Sequence, residues 1–432
     1  MRAASAAARH GPLSQRSIRD GRREVPVCVG TVWGRATAGL AALVLASCGE
    51  PGPGSFESEC IGSVEDARAP SLEVGADGVA RVAWIAEAQA RRALRLVEVE
   101  DGECSEPVEL ALGVDWSAVW SDAPALSAEA DGDVWVAFPG RSGAVQLARD
   151  LRGVRREART DSWSKPIELH ELPELTEHGC GSLAALDPRG TLAVWLDGRQ
   201  RVNGSQRGAM QLRARVLLDE ACEPELVLDE RVCDGCRTSI AVLDDGSALI
   251  GYRDRSADEV RDIAVVTWRA GSVSAPRPLF QDGWRIAGCP GNGPSLAAHG
   301  SNVGAAWFTL GVENRARVQV SFSTDRGMSF DAPLVLSRRD TDGMVSAAMD
   351  ARGVLWVTWL ERVDRELAEW MLACVTVERV GEPRALAQTV PGRAAGFAPL
   401  AARGDELLFA WLAPQQPPEL RLHVLRGLDA LR

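Results

Sequence analysis

"SLAALDPRGTLAVW", residues 182–195, is a run of small and apolar residues, a turn at Asp187–Gly190, and a second apolar run ending in tryptophan. Two strands joined by a tight turn read this way. The same fourteen-residue unit recurs along the chain. Copies begin at Ser71, Ala125, Ser182, Ser239, Ser295, Ser346 and Pro399, at spacings of 54, 57, 57, 56, 51 and 53 residues. The first run of each copy is rich in Ala, Ser and Leu, which suits a crowded innermost strand. The second run ends in a bulky residue: Trp84, Phe138, Trp195, Tyr252, Phe308 and Trp359. A residue type repeated at one register position fills one packing slot.

A third strand follows each hairpin, as in "DIAVVTW" (262–268) and "RVQVSFS" (317–323). A fourth opens near a proline: "SEPVEL" (105–110), "SKPIEL" (164–169), "CEPELVL" (222–228), "SAPRPLF" (274–280), "DAPLVLS" (331–337) and "GEPRALA" (381–387). Proline is tolerated at the start of an outer edge strand. Four strands per repeat, many times over, define a β-propeller, an all-β fold of four-stranded blades. There are seven hairpins but six proline-marked outer strands. The segment near residues 56–68 is therefore expected to supply the missing strand and close a seven-bladed ring. Closure removes two open edges. A six-bladed ring with one copy as a rim decoration is the alternative.

Composition narrows the function classes. The chain has 432 residues, 46% hydrophobic and 25% charged, which suits a globular core. Lys165 is the sole lysine among 48 basic residues, and Tyr252 is the sole tyrosine beside 14 tryptophans. This bias resembles GC-rich coding, so the rarity of Tyr252 says little about its role. The net charge is −12, and because residues 1–47 carry +5, the remainder carries −17. Such a surface repels phosphates and argues against a nucleic-acid partner.

Residues 36–47, "ATAGLAALVLAS", form an apolar run behind Arg35 and end at Cys48. The run is too short to span a bilayer, which takes roughly 20 residues, and suits a secretory signal. Leu45-Ala46-Ser47-Cys48 resembles the lipobox of bacterial lipoproteins, in which the cysteine becomes the lipidated terminus. The resemblance implies a signal and lipidation site over 1–48, a tether over 49–58 and a propeller over 59–432. With Gly49 after the cysteine, it implies an outer-membrane anchor as the only membrane contact. Export makes the remaining eight cysteines disulfide candidates.

"STDRGMSF" (323–330) carries a second resemblance. Ser323, Asp325, Gly327, Ser329 and Phe330 match the Asp-box pattern of the sialidase superfamily. Locally, Asp325 accepts backbone N–H groups, Gly327 permits a positive φ, and Phe330 pins the turn to its blade. The motif bears on fold and says little about activity. Sialidases use a tyrosine nucleophile helped by a glutamate, an aspartate as acid/base and three arginines for the substrate carboxylate. The resemblance implies Tyr252 as nucleophile, Glu259 as helper, Asp254 or Asp282 as acid/base, and Arg237, Arg253 and Arg255 on an anionic sugar. No Arg-Ile-Pro element stands in the first repeat, no arginine triad is assignable, and seven blades exceed that family's six.

Strand order puts the loops joining second to third strands, and fourth to next first strands, on one rim. "RDRSADEVRD" (253–262) lies there, with Arg253, Asp254, Arg255, Asp258, Glu259, Arg261 and Asp262 in ten residues. Clustered arginines and acids form a fixed network or grip an anion. Charged loops are also commonly just solvated. Cys180, Cys233, Cys236 and Cys289 approach the same rim, as two disulfides or a four-thiolate zinc site, with the exported setting favouring disulfides. Trp284, Trp116 and Trp120 sit in similar loops, where they would stack on sugars or pack in the core. "GNGP" (291–294) would turn Asn292 inward. His170, His178, His299 and His423 show no metal spacing. No phosphate loop, Gly-x-Ser-x-Gly elbow or dinucleotide fingerprint is present, so no cofactor is expected. The sequence supports a propeller that binds a glycan or protein through the rim of blades 3–5. A sialidase-type hydrolase and a purely structural envelope role are the alternatives.

Overall fold

The computed structural model describes residues 57–431, apart from 89–90, 115, 117–119, 142–148, 172–177, 202–207 and 220–221. The signal, Cys48 and most of the expected tether lie outside the described residues. The chain forms seven antiparallel sheets arranged as the blades of a propeller. Blades 1 to 6 each run outward in chain order. Blade 4, for example, is built from Ser239–Val242, Ala248–Arg253, Ile263–Arg269 and a split outer strand, Ser272–Val273 and Arg277–Pro278. Blade 7 takes Leu400–Arg403, Glu406–Ala413 and Glu419–Arg426 from the C-terminal end and Glu57–Glu65 from the other. The expected closing strand is thus present, paired from Glu57↔Arg426 to Glu65↔Glu419.

The hairpins form for local reasons. Gly78, Gly132, Gly190, Gly246, Gly300, Gly353 and Gly404 all turn with positive φ, a region only glycine enters freely. Where an aspartate precedes, its carboxylate closes the turn. Asp77, Asp131 and Asp245 each accept the N–H two residues on, at 3.0, 3.1 and 3.0 Å. The outer strands break at proline in three blades, and a serine repairs the ladder. The hydroxyls of Ser105, Ser164 and Ser274 accept the N–H of Glu98, Arg155 and Thr267 at 3.0, 3.0 and 2.9 Å. The three serine N–H groups return bonds to those same residues.

Adjacent blades are joined near the axis. Ser239, Ser295 and Ser346 each lie on an innermost strand, and each hydroxyl accepts an N–H from the next blade: Leu296, Ala347 and Leu400, at 2.9, 2.9 and 3.0 Å. Ser182 donates to the Thr238 carbonyl at 2.8 Å. Between blades 1 and 2, Glu73 takes this part by accepting the Ala128 N–H at 3.3 Å. Burial pushes the Glu73 carboxyl up to about 7. The bulky residues ending the second strands are buried between blades. Each contributes about 2–3 kcal/mol of apolar burial.

Replacing Ser295 or Ser346 with alanine leaves an N–H of the neighbouring strand unsatisfied. Each change is expected to cost about 1–2 kcal/mol and to lower the midpoint in thermal unfolding. An unchanged midpoint in both variants would show that these latches contribute nothing. Glu73 holds its proton in the folded state between its unfolded value near 4.3 and about 7. The native state binds more protons in that window, so this group makes stability fall as pH rises through it. Glu73→Gln is expected to flatten that slope in denaturation curves measured from pH 4 to pH 8.

Candidate functional site

The loop 254–262 joins the second and third strands of blade 4 and is stitched to the connection leading into blade 5. Arg261 N–H donates to Trp284 O at 2.8 Å, and Ile286 N–H to Glu259 O at 3.0 Å. The Ser256 hydroxyl accepts the N–H of Asp258 and Val260 at 3.2 and 3.1 Å. Asp262 accepts the N–H groups of Gly283 and Trp284 at 2.9 and 3.0 Å. These bonds give a charged sequence one conformation.

The structure corrects several expectations for this rim. Tyr252 is fully buried between blades 3 and 4, and its hydroxyl donates to Asp229 at 2.6 Å. Burial and the Asp229 carboxylate push that hydroxyl far above the ordinary tyrosine value. A hydroxyl with no exposure to substrate and a suppressed ionisation is not placed to act as a nucleophile. Glu259 does not assist it. Its carboxylate is bonded by Arg255 and Arg261, each at 2.8 Å, and Arg255 above all holds it down at about 2.

Arg253 is buried and donates to three backbone carbonyls: Asn292 at 2.8 Å, Arg261 at 2.6 Å and Phe308 at 2.7 Å. It also lies 4.8 Å from the Trp284 ring centre. Its donors are spent on holding blade 4 to blade 5, so it does not grip a ligand. Arg255 and Arg261 both meet Asp234, at 3.2 and 3.1 Å. Trp284 is buried edge-on to Phe308 at 5.6 Å, and Trp116 packs 4.8 Å from Phe138. Neither offers a face to a sugar. Asn292 is also buried; it donates to Asp342 O at 3.0 Å and accepts the Met344 N–H at 2.7 Å. It positions the innermost strand of blade 6.

Three of the expected residues do meet in an open groove. Asp254, Asp262 and Asp282 line it with Ile263, Ala264, Pro276, Pro278 and Val312, around an open volume of about 1110 Å³. One Asp254 oxygen accepts the Arg255 N–H at 2.6 Å, and the other makes no hydrogen bond among the described residues. Burial, together with Asp229 and Asp262, raises the Asp254 carboxyl to about 6. Asp282 is raised too, by burial first and by Asp262, and accepts Trp307 Nε1 at 2.7 Å. Arg277 borders the groove, but donates to the Gly327 carbonyl.

Arg237 lies apart from that groove, at the mouth of the central channel, with its guanidinium 4.6 Å from the Phe397 ring centre. Phe397 stacks on Trp120 at 5.4 Å, and Arg393 sits 5.4 Å from the Trp120 ring centre. Four groups from three inter-blade connections thus meet over the axis. The channel below is lined by innermost strands of all seven blades.

Cys233, Cys236 and Cys289 converge. Their sulfurs are 2.9 Å apart for Cys233–Cys236, 3.6 Å for Cys233–Cys289 and 3.7 Å for Cys236–Cys289. All three are free thiols, so the expected disulfides do not join them; a disulfide bond is about 2.05 Å long. The Arg261 guanidinium meets Cys233 Sγ at 3.2 Å. Cys180 lies on the innermost strand of blade 3, and its side chain is outside what the structure describes.

Sequence spacing also missed a buried cluster between blades 2 and 3. His170 and His178 stack at 3.9 Å, near Asp150. His178 meets Asp197 at 3.2 Å. Burial opposes ionisation of Asp197, yet hydrogen bonds from His178 and Arg199 hold it well below the usual carboxylate range.

On the opposite face, the turn at Ser323–Phe330 has the bonding its residues imply. Asp325 accepts the Ser329 N–H and hydroxyl at 2.9 and 2.6 Å, and the Gly327 N–H meets Ser323 Oγ at 2.8 Å. Gly327 has φ 76°, and Phe330 packs on the core between blades 4 and 5.

The fold and site define a seven-bladed β-propeller with an acidic groove at one rim. Solved structures with this fold include the BP39L lectin from Burkholderia pseudomallei: TM-score 0.58, 13% identity, covering 83% of this chain and 95% of the lectin. A protein of unknown function from Dyadobacter fermentans matches at TM-score 0.51 and 13% identity, over 87% of this chain and 99% of that one. At these identities the likeness shows the fold alone. No protein-family model matches the chain, and no curated protein matches it.

Tyr252→Phe is expected to leave the fold intact and any ligand binding unchanged. It should lower stability by about 1–3 kcal/mol, because Asp229 loses its donor. Arg253→Met should be more damaging, as it strips three buried carbonyls of their shared partner. Urea denaturation of both variants checks the order; equal stability of Arg253→Met and wild type would refute the clamp.

Proposed function

We propose that the propeller binds a neutral glycan in the groove between blades 4 and 5. One observation carries this reading: Asp254 presents a carboxylate oxygen to the groove, while the arginines of the rim loop are engaged by other groups of the protein. Asp254 has an oxygen that meets no donor among the described residues, and Arg253, Arg255 and Arg261 are bonded within the rim. Carboxylates accept hydrogen bonds from sugar hydroxyls and repel sugar carboxylates. The apolar wall of Pro276, Pro278 and Val312 suits the C–H face of a pyranose. The lectin neighbour supports the reading as a precedent for glycan binding on this fold.

Isothermal titration against neutral and sialylated oligosaccharides tests it. Binding is expected for neutral sugars, with a loss of about tenfold or more in Asp254→Ala, in line with one charge-assisted hydrogen bond. Affinity should rise with pH through about 6, as Asp254 ionises, and Asp254→Asn should remove that rise. Binding confined to sialylated sugars would sink the proposal.

A second reading is hydrolysis of the bound glycan. It is favoured by one observation, the raised carboxyl of Asp254 at about 6 beside the raised Asp282. A carboxyl that keeps its proton near neutral pH is suited to protonate a leaving oxygen. Aryl glycosides turned over by wild type and not by Asp254→Asn would support it. Absence of turnover leaves the binding reading alone.

The resemblance at Leu45–Cys48 further supports a lipid anchor on Cys48 in an outer membrane. Labelling with a fatty acid analogue, and release of Cys48→Ala into the soluble fraction, tests that assignment.

A further inference from the structure

We propose that Cys233, Cys236 and Cys289 form a zinc site that staples the connection entering blade 4 to the connection entering blade 5. The assignment is independent of the glycan reading.

The geometry comes first. In a tetrahedral thiolate site, zinc–sulfur bonds of about 2.3 Å put the sulfurs about 3.8 Å apart. Two edges of the triangle, at 3.6 and 3.7 Å, already have that length. The third, Cys233–Cys236 at 2.9 Å, needs to open by roughly 1 Å. It is too long for a covalent bond and too short for two unbonded sulfurs at rest. The spacing is that of a Cys-x-x-Cys turn, with Gly235 beside Cys289 Sγ, closed by a third cysteine 53 residues on from Cys236. Local turn geometry and a distant ligand together are how structural zinc joins two loops.

The number of thiols matters as much as their spacing. Three sulfurs in mutual contact cannot all be satisfied by disulfide pairing, since one is always left over. Zinc satisfies all three. Each thiol releases its proton to solvent on binding, and Zn²⁺ with three thiolates carries a single net negative charge. The structure supplies a neighbouring positive charge, because Arg261 is buried and donates to Cys233 Sγ at 3.2 Å. Asp234 and Glu259 hold that guanidinium in place. Cys233 and Cys236 are buried, whereas Cys289 is half-buried, which gives the ion a way in and leaves a fourth position for water or another donor.

The test uses the full chain purified under reductant and without chelator. Elemental analysis is expected to find one zinc per chain, and Cys236→Ser and Cys289→Ser should lose it. Cobalt exchanged into wild type should show a thiolate-to-metal charge-transfer band with tetrahedral d–d bands, a readout that needs no variant to fold. Chelation should lower the thermal midpoint of wild type and leave that of Cys289→Ser unmoved. Zinc-free wild type whose thiol titre falls by three in the Cys233→Ser, Cys236→Ser, Cys289→Ser triple variant would overturn the proposal. So would a Cys233–Cys236 disulfide peptide in a non-reduced digest, or zinc retained after all three cysteines are replaced by serine.

Discussion

Seven strands must run side by side around one narrow axis, and that crowding governs the molecule. Backbone groups that face a neighbouring blade there would go unsatisfied without a short polar side chain to meet them. The repeated serine meets that demand. It is small, and in Ser239, Ser295 and Ser346 its hydroxyl takes an N–H from the next blade. Because each latch joins innermost strands, the blades splay outward from a fixed hub, and bulky residues fill the widening gaps. The rim loops then start and finish at positions already set by the hub. Ring closure by Glu57–Glu65 extends the same constraint to the two ends of the chain.

The rim shows how charged residues become architecture. Among the described residues Arg253 forms no ion pair with a carboxylate; it holds three carbonyls from different loops. Guanidinium suits this work because its donors radiate in a plane. Arg255 and Arg261 are drawn into Asp234 and Glu259 in the same way. Once those cations are committed, the three aspartates that line the groove are left without a rim arginine paired to them among the described residues. A charge count over residues 253–262 points to a balanced patch, whereas the folded groove is not balanced.

The propeller was legible in the sequence because its rules are local and repeated. Hairpin glycines, outer-strand prolines and the aromatic slot each recur at one register position, and Tyr252 was readable as a packing residue on that ground. The closing strand was readable by subtraction, from seven hairpins and six proline marks. The site was less legible, because its decisive contacts cross between blades. Asp229 below Tyr252 and Asp234 between two arginines gave no sign in sequence spacing. His170 and His178 seemed unrelated in the chain until neighbouring blades stacked them. The convergence of Cys233, Cys236 and Cys289 was readable from repeat register. Their bonding was not, since register gives position to within a loop and sulfur chemistry turns on fractions of an ångström.

The closing strand also gives the molecule a direction. Glu57 pairs with Arg426 and Glu65 with Glu419, so the chain enters the propeller on the hairpin face and climbs toward the rim that carries Asp254. Glu57 therefore enters on the face that carries the turn at Ser323–Phe330, and the acidic groove opens at the opposite rim of the disc.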